Sequence, residues 1–343
     1  SRPEGVEKYA AQKVGVLGAG MMGAGIAYSA AVKGVDVVLK DVTLESAEKG
    51  KAYSQTILDK KVKKKRLAES KREAVLNSIK PTANAEDLNG CDLIIEAVFE
   101  DRSLKAKVTQ EAEAQINSTA VFASNTSTLP ITGLAEASAR PENFVGLHFF
   151  SPVDKMPLVE IISGKQTSDE TLAKAYDFVL QIGKIPIVVN DSRGFYTSRV
   201  FGTFANEGMA MLGEGIPAAA IENAAFLAGY PVGPLAVTDE VSLTLVDKIR
   251  KQTIKDLQAE GQSLPVHPSD AVVDRMLDAE RAGKLSGAGF YSYPSSDSPM
   301  GSKKKLWDGL NKMFGNNETA YSVDEIKDRL LYIQAIETVR CLD

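Results

Sequence analysis

A histidine and a glutamate are the two side chains of this sequence best placed to move a proton. His148 ends an apolar strand predicted over residues 144–148, at the edge where parallel sheets bind ligands. Glu160 lies in a second predicted strand, residues 155–162, where a carboxylate among apolar β-branched residues is costly to bury without a partner. A histidine on a neighbouring strand would supply that partner, and the carboxylate would fix the imidazole tautomer. The pair predicts a general base that takes a proton from a hydroxyl while hydride leaves the same carbon.

A glycine-rich turn after the first strand could hold the acceptor of that hydride. Gly18, Gly20 and Gly23 have the G-x-G-x-x-G spacing. The first glycine allows a sharp turn, the second leaves room for a pyrophosphate, and the third lets a helix lie close to the strand. A strand precedes the turn, and a helix and a second strand follow it, which is the context that indicates dinucleotide binding. A structural turn in another parallel α/β domain is the alternative.

The ends of these elements complete the predicted dinucleotide site. Met21 and Met22 lie between the last two glycines, just before a helix predicted over residues 24–32. The N-terminus of a helix offers free N–H groups and a partial positive charge to phosphates. Asp41 ends the second strand, where its carboxylate can accept hydrogen bonds from the adenosine ribose hydroxyls. Because its charge would repel a 2′-phosphate, Asp41 favours NAD over NADP.

Two polar stretches each have a functional and a structural interpretation. Residues 124–128 are small and polar and follow a predicted strand, so they fit a ligand-binding edge, the N-cap of the next helix, or both at once. The basic run at residues 60–66 fits either a solvated helix face or a site for a phosphate-bearing substrate. The second histidine, His267, lies in a proline-flanked loop and is interpreted as incidental.

Composition limits the class of protein. The 343 residues are 44% hydrophobic and 25% charged, which suits two or three domains with a sizeable core. A net charge of −5 gives no reason to expect nucleic acid as a partner. Two cysteines, Cys91 and Cys341, indicate neither a disulfide framework nor a metal site, and favour a reducing, intracellular setting. No apolar stretch reaches the length of a membrane span.

Alternating strands and helices predict an α/β fold: a Rossmann-type, doubly wound, mostly parallel sheet followed by an all-α domain. The predicted divisions are a linker over 1–12, the nucleotide-binding domain over 13–190, a helical domain over 191–295, and a linker with the start of a second, truncated helical repeat over 296–343. The repeat is inferred from residues 199–207 and 329–337, which share an Arg-to-Glu spacing and apolar positions. Two unrelated amphipathic helices are the alternative.

Several separated motifs together resemble the NAD-dependent L-3-hydroxyacyl-CoA dehydrogenases, as in the multifunctional α subunit of bacterial fatty-acid oxidation complexes. The motifs are GAGMMGAGIA, IIEAVFE, ASNTSTLPI, GLHFFSPVDKMPLVEII, DSRGF and GYPVGP. The resemblance runs from Lys13 to Tyr293 and implies 3-hydroxyacyl-CoA and 3-ketoacyl-CoA as substrate and product. It also implies a hydratase domain before this segment in the full-length chain, and a thiolase subunit as partner.

The resemblance assigns roles to individual residues. His148 would be the catalytic base and Glu160 would orient it. Ser127 would contact both the substrate and the nicotinamide. Glu100 and Lys105 would contact the cofactor.

Further implied contacts come with three departures from the family pattern, one of which is Leu285, where the family often has lysine. Lys63, Lys64 and Lys65 match a coenzyme A contact region, which favours the phosphate-site interpretation of the basic run. Ser151 matches a cofactor-contacting position at which the family often has asparagine. Ser198 stands where the family usually has the asparagine that holds the substrate carbonyl, and a serine keeps a donor but is shorter.

From these features we expect a cytoplasmic enzyme that oxidises (S)-3-hydroxyacyl-CoA with NAD and needs no metal. One alternative is a non-catalytic, nucleotide-binding scaffold, for which Ser198 would mark lost chemistry. Another is a dehydrogenase of a different hydroxyacid, which the basic run disfavours.

Overall fold

The computed structural model describes residues 1–259, 261–294, 299, 302–315 and 320–342. The chain divides into two compact units, Ser1–Ser198 and Arg199–Asp343. The first unit is built around a sheet, and the described part of the second unit is mainly helical. The predicted domain boundary, after residue 190, lies before the division between Ser198 and Arg199.

The strands of the first unit, within the described residues, form one sheet. They are β1 (Lys13–Leu17), β2 (Asp36–Lys40), β3 (Ile79–Thr82), β4 (Leu93–Glu96), β5 (Val121–Ser124), β6 (Phe144–Phe149), β7 (Leu158–Ser163) and β8 (Ile185–Asn190). Their order across the sheet is β3-β2-β1-β4-β5-β6-β7-β8. The strands from β3 to β6 pair in parallel, β7 is antiparallel to β6, and β8 is parallel to β7. The prediction of a mostly parallel, doubly wound sheet is confirmed.

Helices cover both faces of this sheet. They are α1 (Met21–Ala31), α2 (Leu44–Lys63), α3 (Glu69–Asn77), α4 (Arg102–Glu113), α5 (Ile131–Ala135) and α6 (Asp169–Gln181), and α7 (Thr197–Gly213) begins at the end of the unit. Strands β4, β5 and β6 are buried at every position because apolar clusters lie on either side of them. The parallel strands β1, β4 and β5 therefore present their carboxyl ends together at one edge, where ligands of such sheets bind.

Strand β3 and the start of α1 differ from the sequence-based expectations. The composition of residues 41–80 favours helix, yet β3 starts at Ile79 and pairs with β2. Pro81 lies inside β3, and a proline fits a strand only at the edge of a sheet, which is the position that β3 occupies. Helix α1 begins at Met21 rather than at residue 24, directly after the glycine turn.

Residues 1–12, interpreted from the sequence as a linker, lie against α6. Two nitrogens of the Arg2 guanidinium donate to the two carboxylate oxygens of Asp177, at 2.8 and 2.9 Å. The backbone N–H of Ala11 donates to the Gln181 side chain, and the Gln181 amide donates to the Ala11 carbonyl, each at 2.9 Å. This bidentate ion pair and these paired hydrogen bonds fix the segment to the helix.

The second unit is mainly helical, with a small hairpin. Its helices are α8 (Ala218–Leu227), α9 (Pro234–Val241), α10 (Leu243–Ala259), α11 (Pro268–Asp278), α12 (Gly309–Phe314) and α13 (Val323–Arg340), together with most of α7. Two short antiparallel strands, β9 (Tyr291–Ser292) and β10 (Lys305–Leu306), add to the predicted all-α domain. Asp239 holds the first of them, because its carboxylate accepts hydrogen bonds from the N–H groups of Phe290 and Tyr291 at 2.9 and 2.8 Å.

Helices α7 and α13 are joined by reciprocal ion pairs. Arg199 contacts Glu337 at 2.7 Å, and Arg329 contacts Glu207 at 2.6 Å. These are the arginine and glutamate positions that the proposed repeat matches with each other, so exchanging the two helices would regenerate the same contacts. The repeat itself stays a prediction. Residues 295–298, 300–301, 316–319 and 343 of the segment predicted over 296–343 and its boundary lie outside the described residues.

Three further observations concern membrane, metal and histidine sites. The described helices include none that is both long and apolar enough to cross a membrane. In the same described part of the chain, no three His, Cys, Asp or Glu side chains are grouped so that they could hold a metal ion. The ring of His267 accepts a hydrogen bond from the Ser269 N–H and caps α11, which is a structural role.

Candidate functional site

His148 and Glu160 face each other across β6 and β7. The antiparallel register pairs the two residues directly, and the distance from His148 Nδ1 to Glu160 Oε2 is 2.7 Å. Glu160 is 0% exposed and His148 is 7% exposed. Because Glu160 occupies Nδ1, Nε2 is the ring nitrogen left to exchange a proton with a substrate. The structure brings together the two residues that the sequence singles out for proton transfer.

The Glu160 carboxylate accepts hydrogen bonds from two further residues. The backbone N–H groups of Tyr196 and Thr197 donate to Oε1 at 3.1 and 2.8 Å, and the Thr197 hydroxyl donates to Oε2 at 2.7 Å. Burial opposes ionisation, but the hydrogen bonds from His148 and Thr197 outweigh it and hold the pKa of Glu160 below its usual value. An ionised Glu160 keeps the proton of His148 on Nδ1 and stabilises the imidazolium. Sequence reasoning missed Thr197, although a threonine at the start of a helical pattern was a signal for it.

Two aromatic rings pack against the imidazole of His148. The ring centroid of Phe150 lies 4.4 Å from that of His148, and that of Phe195 lies 6.0 Å away. Phe195 is 1% exposed and has a φ of 52°, in the left-handed region that bulky residues rarely adopt. A residue keeps such a backbone conformation only where the surrounding structure fixes it, and residues strained in this way cluster at functional sites. Phe195 is a second residue of this site that the sequence analysis did not single out.

The glycine turn has one crowded side and one open side. Gly18 has a φ of +90°, and a Cβ added at Gly23 would lie 1.8 Å from the Gly18 carbonyl oxygen. A Cβ added at Gly20 would meet no protein atom within 4 Å. Asp41 Oδ2 accepts a hydrogen bond from the Ala19 N–H at 2.6 Å, so this carboxylate lies beside the turn. The turn is therefore held tightly at its first and third glycines and left open at the second.

Lys105 is buried between two carboxylates after β4. Its Nζ donates to both oxygens of Glu96, at 2.8 and 3.0 Å, and lies 3.1 Å from Glu100 Oε2. Glu100 Oε1 accepts hydrogen bonds from the Thr126 hydroxyl and the Ser127 N–H, at 2.5 and 3.1 Å. Burial opposes the ionisation of Glu100, but the charge of Lys105 and the Thr126 bond hold its pKa below the usual value. Sequence reasoning missed Glu96, although an acid at the carboxyl end of an apolar strand was the available signal.

The polar residues 124–128 do not cap the helix that follows them. Helix α5 has Pro130 at its N-cap position, without a side-chain hydrogen bond there. The N–H groups of Ile131 and Thr132 instead donate to the carboxylate of Asp191, at 2.8 and 2.7 Å. The N-cap interpretation of this stretch is therefore wrong.

Comparison with known proteins identifies the family of both units. Residues 13–192 match the family model described as 3-hydroxyacyl-CoA dehydrogenase, NAD binding domain. Residues 194–293 match the one described as 3-hydroxyacyl-CoA dehydrogenase, C-terminal domain. The chain belongs to the 3-hydroxyacyl-CoA dehydrogenase family.

Curated relatives within this family are about twice as long as the chain. The chain is 36% identical over 342 residues to a fatty acid oxidation complex subunit alpha of Shewanella baltica. The aligned region covers 99% of this chain and 47% of the relative. The chain is 37% identical, with the same coverage, to the subunit of that name from another Shewanella strain. The chain therefore spans about half the length of the relatives that it matches.

Solved dehydrogenase structures share the fold. The (S)-3-hydroxybutyryl-CoA dehydrogenase PaaH1 of Ralstonia eutropha superposes with a TM-score of 0.77 at 34% identity, covering 83% of this chain and 100% of that one. A 3-hydroxybutyryl-CoA dehydrogenase of Escherichia coli gives a TM-score of 0.77 at 29% identity, covering 88% of this chain and 63% of that one.

The residues of the glycine turn fit the NAD that a domain of this family binds. Gly20 leaves the N-terminal N–H groups of α1 without a side-chain cap and offers open space where a Cβ would project. Met21 is 68% exposed beside that space, whereas Met22 packs against the core. Ser151 is exposed, and its hydroxyl lies 3.6 Å from the sulfur of Met21. The loop that follows β6 therefore contacts the first residue of α1. NAD is the cofactor of this domain, as the family model over residues 13–192 indicates.

The remaining predicted substrate residues lie apart from one another in the first unit. Ser198 is half-buried in the first turn of α7, next to Thr197. Lys63 ends α2 and Lys64 and Lys65 follow it, all three exposed. Positive charges also stabilise the C-terminus of a helix, so both interpretations of the basic run remain compatible with the structure.

Proposed function

We propose that this chain oxidises (S)-3-hydroxyacyl-CoA to 3-ketoacyl-CoA with NAD, as part of fatty-acid β-oxidation. The proposal is carried by the buried contact of 2.7 Å between His148 Nδ1 and Glu160 Oε2 in the same unit as the NAD-binding turn. The contact of Ser151 with Met21 supports it, because it connects the loop after the histidine strand to the turn.

The proton of the substrate hydroxyl goes to Nε2 of His148. As the O–H bond breaks and the carbonyl forms, the hydrogen on the same carbon leaves as hydride. NAD, when bound, would supply the hydride acceptor. Glu160 stabilises the imidazolium that forms, and Phe150 and Phe195 keep water from the ring.

Substrate contacts are assigned to residues of the first unit. Ser127 is proposed to contact both the substrate and the nicotinamide, because Glu100 fixes its N–H at the ligand edge of the sheet. Ser198 is proposed to act on the substrate carbonyl, from the first turn of the helix that also contacts Glu160. The exposed Lys63, Lys64 and Lys65 are proposed to bind the coenzyme A phosphates.

The cellular setting is proposed from the relatives. Because the matched relatives are named as subunits of a fatty acid oxidation complex, we propose a hydratase domain in the full-length chain and a thiolase subunit as partner. A cytoplasmic location fits a sequence with only two cysteines.

A single assay tests the proposed activity. Purified protein is mixed with acetoacetyl-CoA and NADH, and the NADH absorbance is followed. We expect it to decay, and we expect His148→Ala to slow the decay by about two to four orders of magnitude, because the general base is lost. A His148→Ala variant as active as the wild type would refute the role of the histidine. No decay with the wild type would favour a nucleotide-binding scaffold.

A further inference from the structure

Glu96 is a buried carboxylate that the proposed reaction leaves without a role. It is the last residue of β4, is 1% exposed, and pairs in register with Ser124 of β5. Its Oε2 accepts a hydrogen bond from the Ser124 hydroxyl at 2.7 Å, and its Oε1 accepts one from the Val98 N–H at 2.7 Å. Both oxygens also accept from Lys105. Glu96 is thus fixed by two strands and by the turn that follows β4.

The two carboxylates that flank Lys105 differ in their exposure. Glu96 and the Lys105 side chain are 1% and 3% exposed, whereas the Glu100 side chain is 36% exposed. Glu100 is therefore the more accessible of the two carboxylates, and its Oε1 accepts hydrogen bonds from the N–H groups of Ser127 and Thr128, at 3.1 and 3.3 Å. The ammonium between them is a buried charge, which is costly unless it is paired.

We propose that Glu96 is a positioning residue for NAD: it fixes the ammonium of Lys105, and through Lys105 it sets Glu100 and the backbone of Ser127. The inference rests on the NAD-dependent reaction proposed above and extends it to a residue buried beneath the site. Without the charge of Glu96, Lys105 has Glu100 as its remaining carboxylate. The stronger attraction draws Glu100 inward and away from Ser127. The ligand edge then loses the arrangement that binds the cofactor.

The test measures NADH binding directly, by fluorescence titration, in Glu96→Gln, Lys105→Met and the double variant. Glutamine keeps the size and an acceptor for Ser124 and Val98 but removes the charge. We expect each single change to weaken NADH binding roughly tenfold, since a hydrogen bond to a charged group is involved. Because Glu96 acts through Lys105, the double variant should bind NADH no more weakly than Lys105→Met alone.

The control is Glu170→Gln, which breaks an exposed carboxylate–lysine pair with Lys174, 2.7 Å apart on α6. It should leave NADH binding unchanged. An unchanged NADH affinity in Glu96→Gln, or losses that simply add in the double variant, would overturn the role of Glu96 while leaving the proposed reaction intact. Failure of the wild type to bind NADH would overturn the reaction itself. Should Glu96→Gln not fold, Ser124→Ala replaces it: weaker NADH binding supports the proposal and unchanged binding overturns it.

Discussion

Glu160 is kept ionised by neighbours from different segments of the chain. His148 donates from the adjacent strand, while Tyr196 and Thr197 donate from the start of α7. A carboxylate with several donors can remain charged although it is fully buried. In the proposed reaction, this negative charge lies directly behind the ring that would receive the proton.

The open side of the glycine turn gives a prediction at single-residue scale. Gly20→Ala adds a methyl group where no protein atom lies within 4 Å, so the free energy of unfolding should change by no more than about 1 kcal/mol. The methyl group occupies space that the pyrophosphate needs, so NADH binding should weaken at least about tenfold. Thermal unfolding and NADH titration measure the two effects.

Gly23→Ala is the matched comparison for that substitution. Its Cβ would lie 1.8 Å from the Gly18 carbonyl oxygen, so the variant should be clearly destabilised even without cofactor. If Gly20→Ala instead unfolds as readily as Gly23→Ala, the open side of the turn serves the fold and not the cofactor.

Site residues could be predicted from the sequence only where a side chain of one type needs a partner of another type when it is buried. A carboxylate in an apolar strand demands a partner, which led to His148. Thr197 and Phe195 could not be predicted in this way. Their contacts with Glu160 and His148 depend on the turn in which Phe195 has a φ of 52°. Glu96 was missed because its partner, Lys105, lies on a helix whose orientation the sequence does not give.

At the scale of elements, periodicity predicted most of the first unit. The apolar runs of β1, β4 and β6 are buried as expected, because a parallel sheet is covered on both faces. Strand β3 was missed since Pro81 argues against a strand wherever the edge position is unknown. The hairpin of β9 and β10 was missed because these two-residue strands have no periodicity to detect.

The reciprocal ion pairs between α7 and α13 give a prediction at this scale. Arg199→Glu places like charges together in a partly buried contact and should lower the free energy of unfolding by about 1–3 kcal/mol. Adding Glu337→Arg restores the opposite charges and should recover most of that loss. Chemical denaturation measures both variants.

A control for the reversal uses a pair on α13 whose acidic partner, Asp324, is exposed, unlike Glu337. Lys327→Glu, beside Asp324 at 3.0 Å, should cost no more than about 0.5 kcal/mol. A double variant whose destabilisation equals the sum of its single changes would show that Arg199 and Glu337 do not couple.

At the scale of the whole molecule, each unit contains a buried carboxylate whose pKa is shifted, and the two shifts have opposite directions. In the first unit the pKa of Glu160 is lowered, as described above. In the second unit burial raises the pKa of Glu222, despite hydrogen bonds from the Tyr291 hydroxyl and the Leu235 N–H at 2.5 and 2.8 Å. Burial likewise raises the pKa of Asp239.

The opposite directions predict opposite pH dependences of stability. The pKa of Glu160 is lower folded than unfolded, so its contribution is present above the unfolded value and is lost as pH falls through the folded value. The pKa of Glu222 is higher folded, so between the two values the folded state holds a proton that the unfolded state has released. Stability from Glu222 therefore falls as pH rises across that interval.

Unfolding free energies at about pH 3 and about pH 8, on either side of both titration intervals, test this difference. Glu222→Gln cannot lose a proton, so its stability relative to the wild type should improve from the lower to the higher pH. The stability of Glu160→Gln relative to the wild type should instead be lower at the higher pH. Parallel pH profiles for the two variants would contradict the assignment.

The reversal of chain direction between β6 and β7 makes spacing as important as chemistry. Only the short loop over residues 150–157 separates the two strands, and side chains alternate between the faces of a sheet. A one-residue slip of β7 against β6 would therefore turn Glu160 to the opposite face of the sheet, away from His148. Such a protein would keep every functional group in its sequence and still lose the contact between His148 and Glu160.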